Sequence, residues 1–257
     1  PLFSPFGHGV SGRDLILRFS ASGALLSELD GRGTWSAPSA KKGDDDDDED
    51  GGKKSGPASF KDPAGVAVDP AGGLLVADSG NHRVAFVDAA GSVTLSLGRR
   101  NKDGKFLPGT GPGEFNRPSA VAVSGNRIAV ADQHRLQVFD RAGLFLFEAE
   151  LPALAGGARD DEDDDESDDD DEDLRLRAVS IDAAGRLYAT ESAGDRVLIF
   201  GPDGRSLAAF GGPGSAPGTL DEPRGIAASP LGSIYVAEQG NRRVQRADPS
   251  RNFVLAF

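Results

Sequence analysis

Residues 60–97 read FKDPAGVAVDPAGGLLVADSGNHRVAFVDAAGSVTLSL. Val66 and Val68 alternate with small residues, and Asp69, Pro70 and Gly72 then supply a turn. Residues 74–77 form a second apolar run. Residues 78–81 carry turn formers, and residues 83–87 make a third run. After a further turn at 88–91, Val93, Leu95 and Leu97 alternate again. Short apolar runs at period two, broken by Asp, Pro, Gly and Asn, predict four antiparallel strands in succession.

The same grammar returns three times. RPSAVAVSGNRIAVADQHRLQVFDRAGLFLF falls in 115–148, AVSIDAAGRLYATESAGDRVLIFGPDGRSLAAF in 174–210, and EPRGIAASPLGSIYVAEQGNRRVQRADPSRNFVLAF in 220–257. With 60–98 these make four units. DLILRFSASGALLSEL, within 10–30, matches only the last two strands. A repeat of about 40 residues with four strands per period predicts an all-β fold, a β-propeller of four-stranded antiparallel blades. One such sheet cannot cover both its faces, and packing blades around an axis does so. Gly23, Gly91, Gly143 and Gly204 mark the turn before each fourth strand, and Arg251 stands in the glycine's place in the last unit. Small residues such as Ala67, Ala77, Ala122, Ala131, Ala189, Ala227 and Ala237 suit the narrow inner part of the units.

Charge is concentrated between the units. The chain has 257 residues, 28 Lys plus Arg and 41 Asp plus Glu, a formal net charge of −13. Seven consecutive acidic residues occupy 44–50, and 160–173 holds thirteen acidic residues broken only by Ser167. Without those twenty, 21 acidic residues face 28 basic ones, so the repeat body is +7. The two acidic low-complexity insertions, 41–59 and 157–173, read as solvated connections, because like charges at that density cannot form a core. Residues 98–113, GRRNKDGKFLPGTGPG, form a third, polar and Gly-rich connection. All three follow a fourth strand and are expected to emerge on one face. The absence of cysteine excludes disulfides and thiolate metal sites. There is no apolar run long enough to span a membrane, and the expected location is cytoplasmic.

The units resemble NHL repeats, which occur beside RING and B-box domains in tripartite-motif proteins. The resemblance rests on P-x-G-V-A-V-D at 63–69 and V-A-D-S-G-N-H-R-V at 76–84. It recurs at 223–227 and 236–244, with G-x-G-E-F-x-x-P at 111–118. It implies a propeller that usually has six blades. Four and a half units fall short of that. The missing strands lie upstream of Pro1 or within 1–10 and 35–59, and an incomplete, truncated propeller is the expectation. It also implies a ubiquitin-ligase-like parent in which this region selects substrates and catalyses nothing.

A carboxylate ends the second strand of every unit, and an arginine opens the third: Asp78 with Arg83, Asp132 with Arg135, Glu191 with Arg196 and Glu238 with Arg243. Their recurrence points to a structural pair that fixes each turn. The propeller lyases that hold zinc on histidines offer an alternative. Only His8, His82 and His134 are available, without ligand spacing, and His82 and His134 occupy one repeated turn position. No G-x-S-x-G elbow or P-loop is present, so a lyase or hydrolase reading has no support, and no cofactor is expected.

What remains is a non-catalytic binding platform. Protein or peptide partners are expected first. RNA is the alternative, through a basic face of Arg99, Arg100, Lys102, Lys105, Arg117, Arg175, Arg177, Arg224 and Arg242. The tethered acidic residues would compete with phosphate, and few aromatics are present for base stacking. The Asp-rich tracts would attract calcium only weakly and non-specifically, because they lack fixed ligands. No membrane partner is expected.

Overall fold

The computed structural model describes residues 2–6, 15–30, 36, 59–70, 72–132, 135–152, 176–229 and 231–256. An N-terminal sheet holds β1 (Leu2–Phe6), β2 (Leu15–Phe19) and β3 (Leu25–Leu29). Four four-stranded antiparallel sheets follow. The second blade is β4 (Pro63–Val68), β5 (Leu74–Asp78), β6 (Arg83–Val87) and β7 (Val93–Leu97). A hairpin, β8 (Arg99–Arg100) and β9 (Phe106–Leu107), leads to the third blade: β10 (Pro118–Ser124), β11 (Arg127–Asp132), β12 (Arg135–Asp140) and β13 (Phe145–Glu148). The fourth is β14 (Leu176–Ile181), β15 (Leu187–Glu191), β16 (Arg196–Phe200) and β17 (Ser206–Gly211). The fifth is β18 (Pro223–Ala228), β19 (Ile234–Glu238), β20 (Arg243–Ala247) and β21 (Phe253–Ala256). One 3₁₀ turn, Ser79–Asn81, is the only helical segment among the described residues.

The blades are arranged as a propeller, with the first strands β4, β10, β14 and β18 side by side in chain order. β1 rests on β4 as β11 rests on β14 and β15 on β18, so it holds a second-strand position. The N-terminal unit therefore has three strands, one more than the two that sequence matching finds. Residues 2–6 escaped that matching because LFSPF carries no turn motif shared with the repeats.

Every core lies between blades. Ile16 and Leu29 of the first sheet meet Leu74, Val76, Ala85 and Val87 of the second. The opposite face of the second blade, with Leu75, Ala77 and Val84, meets Phe115, Val121, Ile128, Val130 and Phe139 of the third. Alternate residues of one strand thus face different neighbours, which is why period-two patterning here carries apolar residues in both phases. Two further cores join the third blade to the fourth and the fourth to the fifth. Along the axis the inner strands come very close. The Ser119 hydroxyl on β10 donates to the Leu176 carbonyl on β14 (2.8 Å), and the Ala228 N–H on β18 donates to the Ser180 hydroxyl on β14 (3.0 Å). A side chain at Gly65 would place its Cβ 2.9 Å from the Ala120 Cα.

Candidate binding face

Antiparallel pairing brings four places in each blade to one end of the sheet: the start of the first strand, the end of the second, the start of the third and the end of the fourth. The connections between blades leave from this end. The described residues flanking the acidic insertions, Asp30 and Ser59 and then Pro152 and Leu176, lie there, while 44–50 and 160–173 fall outside the described residues. The opposite end carries the short turns. There Asp88, Asp140, Asp182, Asp203 and Asp248 accept backbone N–H groups of their own turns.

The repeated carboxylate and arginine are direct register partners across the second and third strands of each blade. Arg83 Nε lies 2.6 Å from Asp78, Arg135 2.8 Å from Asp132 and Arg243 2.8 Å from Glu238, and Arg196 pairs with Glu191 in the same way. The second oxygen works elsewhere. Asp78 accepts the Lys61 N–H (2.7 Å), Asp132 the Asn116 N–H (2.8 Å) and Glu238 the Asp221 N–H (3.2 Å), each just ahead of the blade's first strand. The guanidinium closes the same loop by donating to its carbonyls. Arg135 reaches Gly109 (3.1 Å) and Glu114 (2.8 Å), and Arg243 reaches Ser215 (2.6 Å), Ala216 and Thr219. In the second, third and fifth blades the pair therefore ties the incoming connection to the middle of its sheet. Burial raises Asp78 above the ordinary carboxylate range against the pull of Arg83, and pushes Asp132 up to about 6 against Arg135. Burial also works on Glu238, but Arg243, Asn241 and Gln245 donate to it and hold it below the ordinary value.

Junctions between blades use another device. His82, with φ 53°, and Asp195, with φ 45°, sit in the left-handed region just before the third strand. His82 Nδ1 accepts the Arg117 N–H of the next blade (3.1 Å), and Asp195 accepts the Glu222 N–H of the next (2.9 Å). Arg117 and Glu222 are themselves left-handed, at φ 55° and 45°. His82 must be unprotonated at Nδ1 to accept. Desolvation, followed by the charges of Arg117, Lys61 and Lys105, holds its pKa below the ordinary value.

The family model described as NHL repeat matches residues 60–85, which span β4 to the start of β6. Residues 60–85 thus carry an NHL repeat. The chain is similar to Protein brain tumor of Drosophila melanogaster, at 28% identity over 155 residues, 59% of this chain and 12% of that protein. It is also similar to NHL repeat-containing protein 2 of Bos taurus, at 33% over 107 residues, 39% of this chain and 13% of that one. The B-box type zinc finger protein ncl-1 of Caenorhabditis elegans is 26% identical over 151 residues, 59% of this chain and 15% of that protein. The chain thus spans less than a fifth of the curated relatives it matches. Among solved structures, virginiamycin B lyase from Staphylococcus aureus superposes with a TM-score of 0.55 at 13% identity, covering 98% of this chain and 83% of that one. A streptogramin B lyase gives 0.52 at 14%, covering 76% and 54%. At such identity these two share the fold alone.

On this propeller the expected basic residues all fall on the connection end, except Arg175, which lies outside the described residues. Arg99 and Arg100 form β8, and Lys102 and Lys105 lie in its turn. Arg117 precedes β10. Arg177 on β14 donates to the Ser192 hydroxyl (3.2 Å). Arg224 on β18 and Arg242 in the fifth blade's turn are exposed. The structure gathers Arg99, Arg100, Lys102, Lys105 and Arg117 at the junction of the second and third blades. Arg177, Arg224 and Arg242 belong to the fourth and fifth.

Residues 98–113 carry more order than a polar connection implies. Phe106 is buried with the Arg100 guanidinium 4.3 Å above its ring and that of Arg83 at 5.4 Å, so the hairpin is clamped over the Asp78–Arg83 turn. Sequence reading also passed over Gln137 and Gln245. Gln137 accepts the Gly113 N–H (2.8 Å) and donates to the Glu114 carbonyl (2.9 Å). Gln245 does the same for Gly218 (3.1 Å) and Thr219 (2.7 Å). The signal was available: the blades entered through Gly-rich loops carry Gln at this third-strand position, and those entered after acidic insertions carry Ala85 or Leu198. Among the described residues no group of three or more His, Asp or Glu is placed to hold a metal, and no helix is long and apolar enough to cross a membrane.

Proposed function

We propose that this NHL propeller is a non-catalytic platform that binds a protein or peptide on its connection face. The observation that carries the reading is a division of labour. The recurring carboxylate–arginine pairs are consumed in tying loops to sheets, while the cations at Arg99, Arg100, Lys102, Lys105, Arg224 and Arg242 are presented outward from the same end. In a protein built like the B-box relative, such a domain would select what the rest of the chain acts on. RNA is the second reading, supported by the cation cluster between the second and third blades, since phosphate contacts need little beyond positive charge.

Charge reversal of the two faces tests this. Co-purified partners are compared between the natural chain, an Arg99→Glu/Lys105→Glu/Arg224→Glu variant and an Arg205→Glu/Arg251→Glu variant on the opposite end. Loss of partners only with the first supports the platform. Retention by the first and loss with the second moves the site to the other face. Partners released by ribonuclease select RNA.

A further inference from the structure

The junction of the second and third blades differs in charge from its counterpart between the fourth and fifth. The latch positions are His82 and Arg117 at the first, and Asp195 and Glu222 at the second. Asn116 leads into the third blade as Asp221 leads into the fifth, each giving its N–H to the repeated carboxylate. The repeat therefore asks only for an acceptor and a left-handed residue at a junction, and an acidic version builds equally well. Folding does not demand the cations at His82's junction.

Those cations sit on a rigid frame. Asn101 Oδ1 accepts the Asp103 and Lys105 N–H groups (3.0 and 2.9 Å), which fixes the hairpin turn. Phe106 anchors the hairpin to the second blade, and the Arg100 guanidinium lies 4.3 Å from its ring centroid. Arg100 is itself exposed, so its guanidinium is open to a bidentate acceptor. Lys61 and Lys105 are exposed, and with Arg117 they crowd one imidazole. Among the described residues Asp62, Asp103 and Glu114 bring opposing charge, the last 4.0 Å from Arg99, and Asp78 is paired with Arg83 beneath the hairpin.

We propose that Lys61, Arg99, Arg100, Lys105 and Arg117 form a docking site for an acidic peptide segment, a run of carboxylates in extended chain. The proposal rests on the platform reading above and names its partner chemistry and its place. Carboxylates are favoured over RNA because single-strand binding draws much of its strength from bases stacked on aromatic rings. On this face Phe106 and Phe115 are buried, and every large exposed apolar side chain among the described residues is aliphatic. Cations without stacking platforms suit a polyanion that has no bases.

The experiment is a titration of the full chain with a short poly-glutamate peptide and, in parallel, a short oligouridylate at matched salt. Binding is followed by fluorescence anisotropy and by the NMR titration of His82. The chain's own acidic runs share the ligand's chemistry, so a second chain with both 44–50 and 160–173 replaced by Gly-Ser of equal length separates competition in cis from lack of binding. The expected result is saturable binding of poly-glutamate that raises the His82 pKa, because carboxylates offset Arg117, Lys61 and Lys105. Arg100→Glu/Lys105→Glu weakens it about tenfold or more, and Arg205→Glu leaves it unchanged. Poly-glutamate that binds neither chain, or binds without moving His82, overturns the proposal. Tighter binding of the oligouridylate overturns it in favour of RNA. If partners are still lost on reversing Arg224 while His82 stays silent to poly-glutamate, the platform stands and only this site fails.

Discussion

Gly65→Ala tests the tightest point of the propeller. An added Cβ would lie 2.9 Å from Ala120 Cα, 3.1 Å from the Ser119 carbonyl oxygen and 3.3 Å from Val121 N. All three are backbone atoms of β10, so no rotamer change relieves the contact. Carbon atoms rest about 3.5–4.0 Å apart, so β4 and β10 must separate by roughly 0.6–1 Å. Overpacking of this kind costs about 1–3 kcal/mol, offset by the ~0.4–1 kcal/mol that Gly→Ala gains by restricting the unfolded chain. The net loss is about 1–2 kcal/mol, and each kcal/mol lowers Tm by roughly 2–4 °C in a chain of this size. Gly225 is the same repeat position in the fifth blade, and its Cβ would meet only the Ala237 Cβ, at 3.3 Å. Gly225→Ala is therefore nearly neutral. Urea and thermal unfolding of both variants measure the difference. Equal midpoints for the two would refute the claim that inner-strand approach limits this position.

Three further outcomes follow from the same geometry. His82 has a folded pKa below its ordinary 6.5, so the unfolded chain binds more protons in the interval between. Its contribution is whole above about pH 6.5 and declines as pH falls through that interval. His82→Asn, which tolerates left-handed φ and keeps an acceptor, should match the natural chain within ~0.5 kcal/mol at alkaline pH and lose that decline in urea melts across pH. A decline that persists unchanged counts against the latch. Gln137→Leu, which copies Leu198, leaves the Gly113 N–H without its partner and the Glu114 carbonyl with only the Arg135 donor, and should cost about 1–3 kcal/mol. Gln137→Glu should rescue little, because it cannot donate to the carbonyl. Arg251 has φ 69° where Gly23, Gly91, Gly143 and Gly204 have φ between 83° and 96°. Arg251→Gly should stabilise by roughly 0.5 kcal/mol, the relief of left-handed strain less the added freedom of the unfolded chain. A lower urea midpoint would contradict it.

The repeat was legible because each blade is a local object. Its turns are set by Asp, Pro, Gly and Asn within a few residues of the strands they join, and period-two patterning survives even though both sheet faces are buried. The carboxylate–arginine pairs were legible as pairs for the same reason, since register partners three or five residues apart meet across one turn. Phe106 was not legible, because a lone aromatic in a Gly-rich connection gains meaning only from the arginines that pack near its ring. Gln137 and Gln245 hid inside apolar strands for a similar reason: their partners are loop backbone groups more than twenty residues away. A strand within 1–10 was only one of the places open to the missing strands, because the place of β1 is defined by contact with β4 and not by any motif of its own.

By itself, then, the chain's order of residues determined the blades, their turns and the segregation of acidic runs from a basic body, all of which depend on neighbours in sequence. Only the assembled propeller decided which residues serve which neighbour. It turned the two phases of each strand toward different blades, gave His82 the Arg117 N–H to hold, and set five of the scattered cations around one junction. Those relations depend on distances between separate sheets, and composition and spacing do not encode such distances until the sheets are packed.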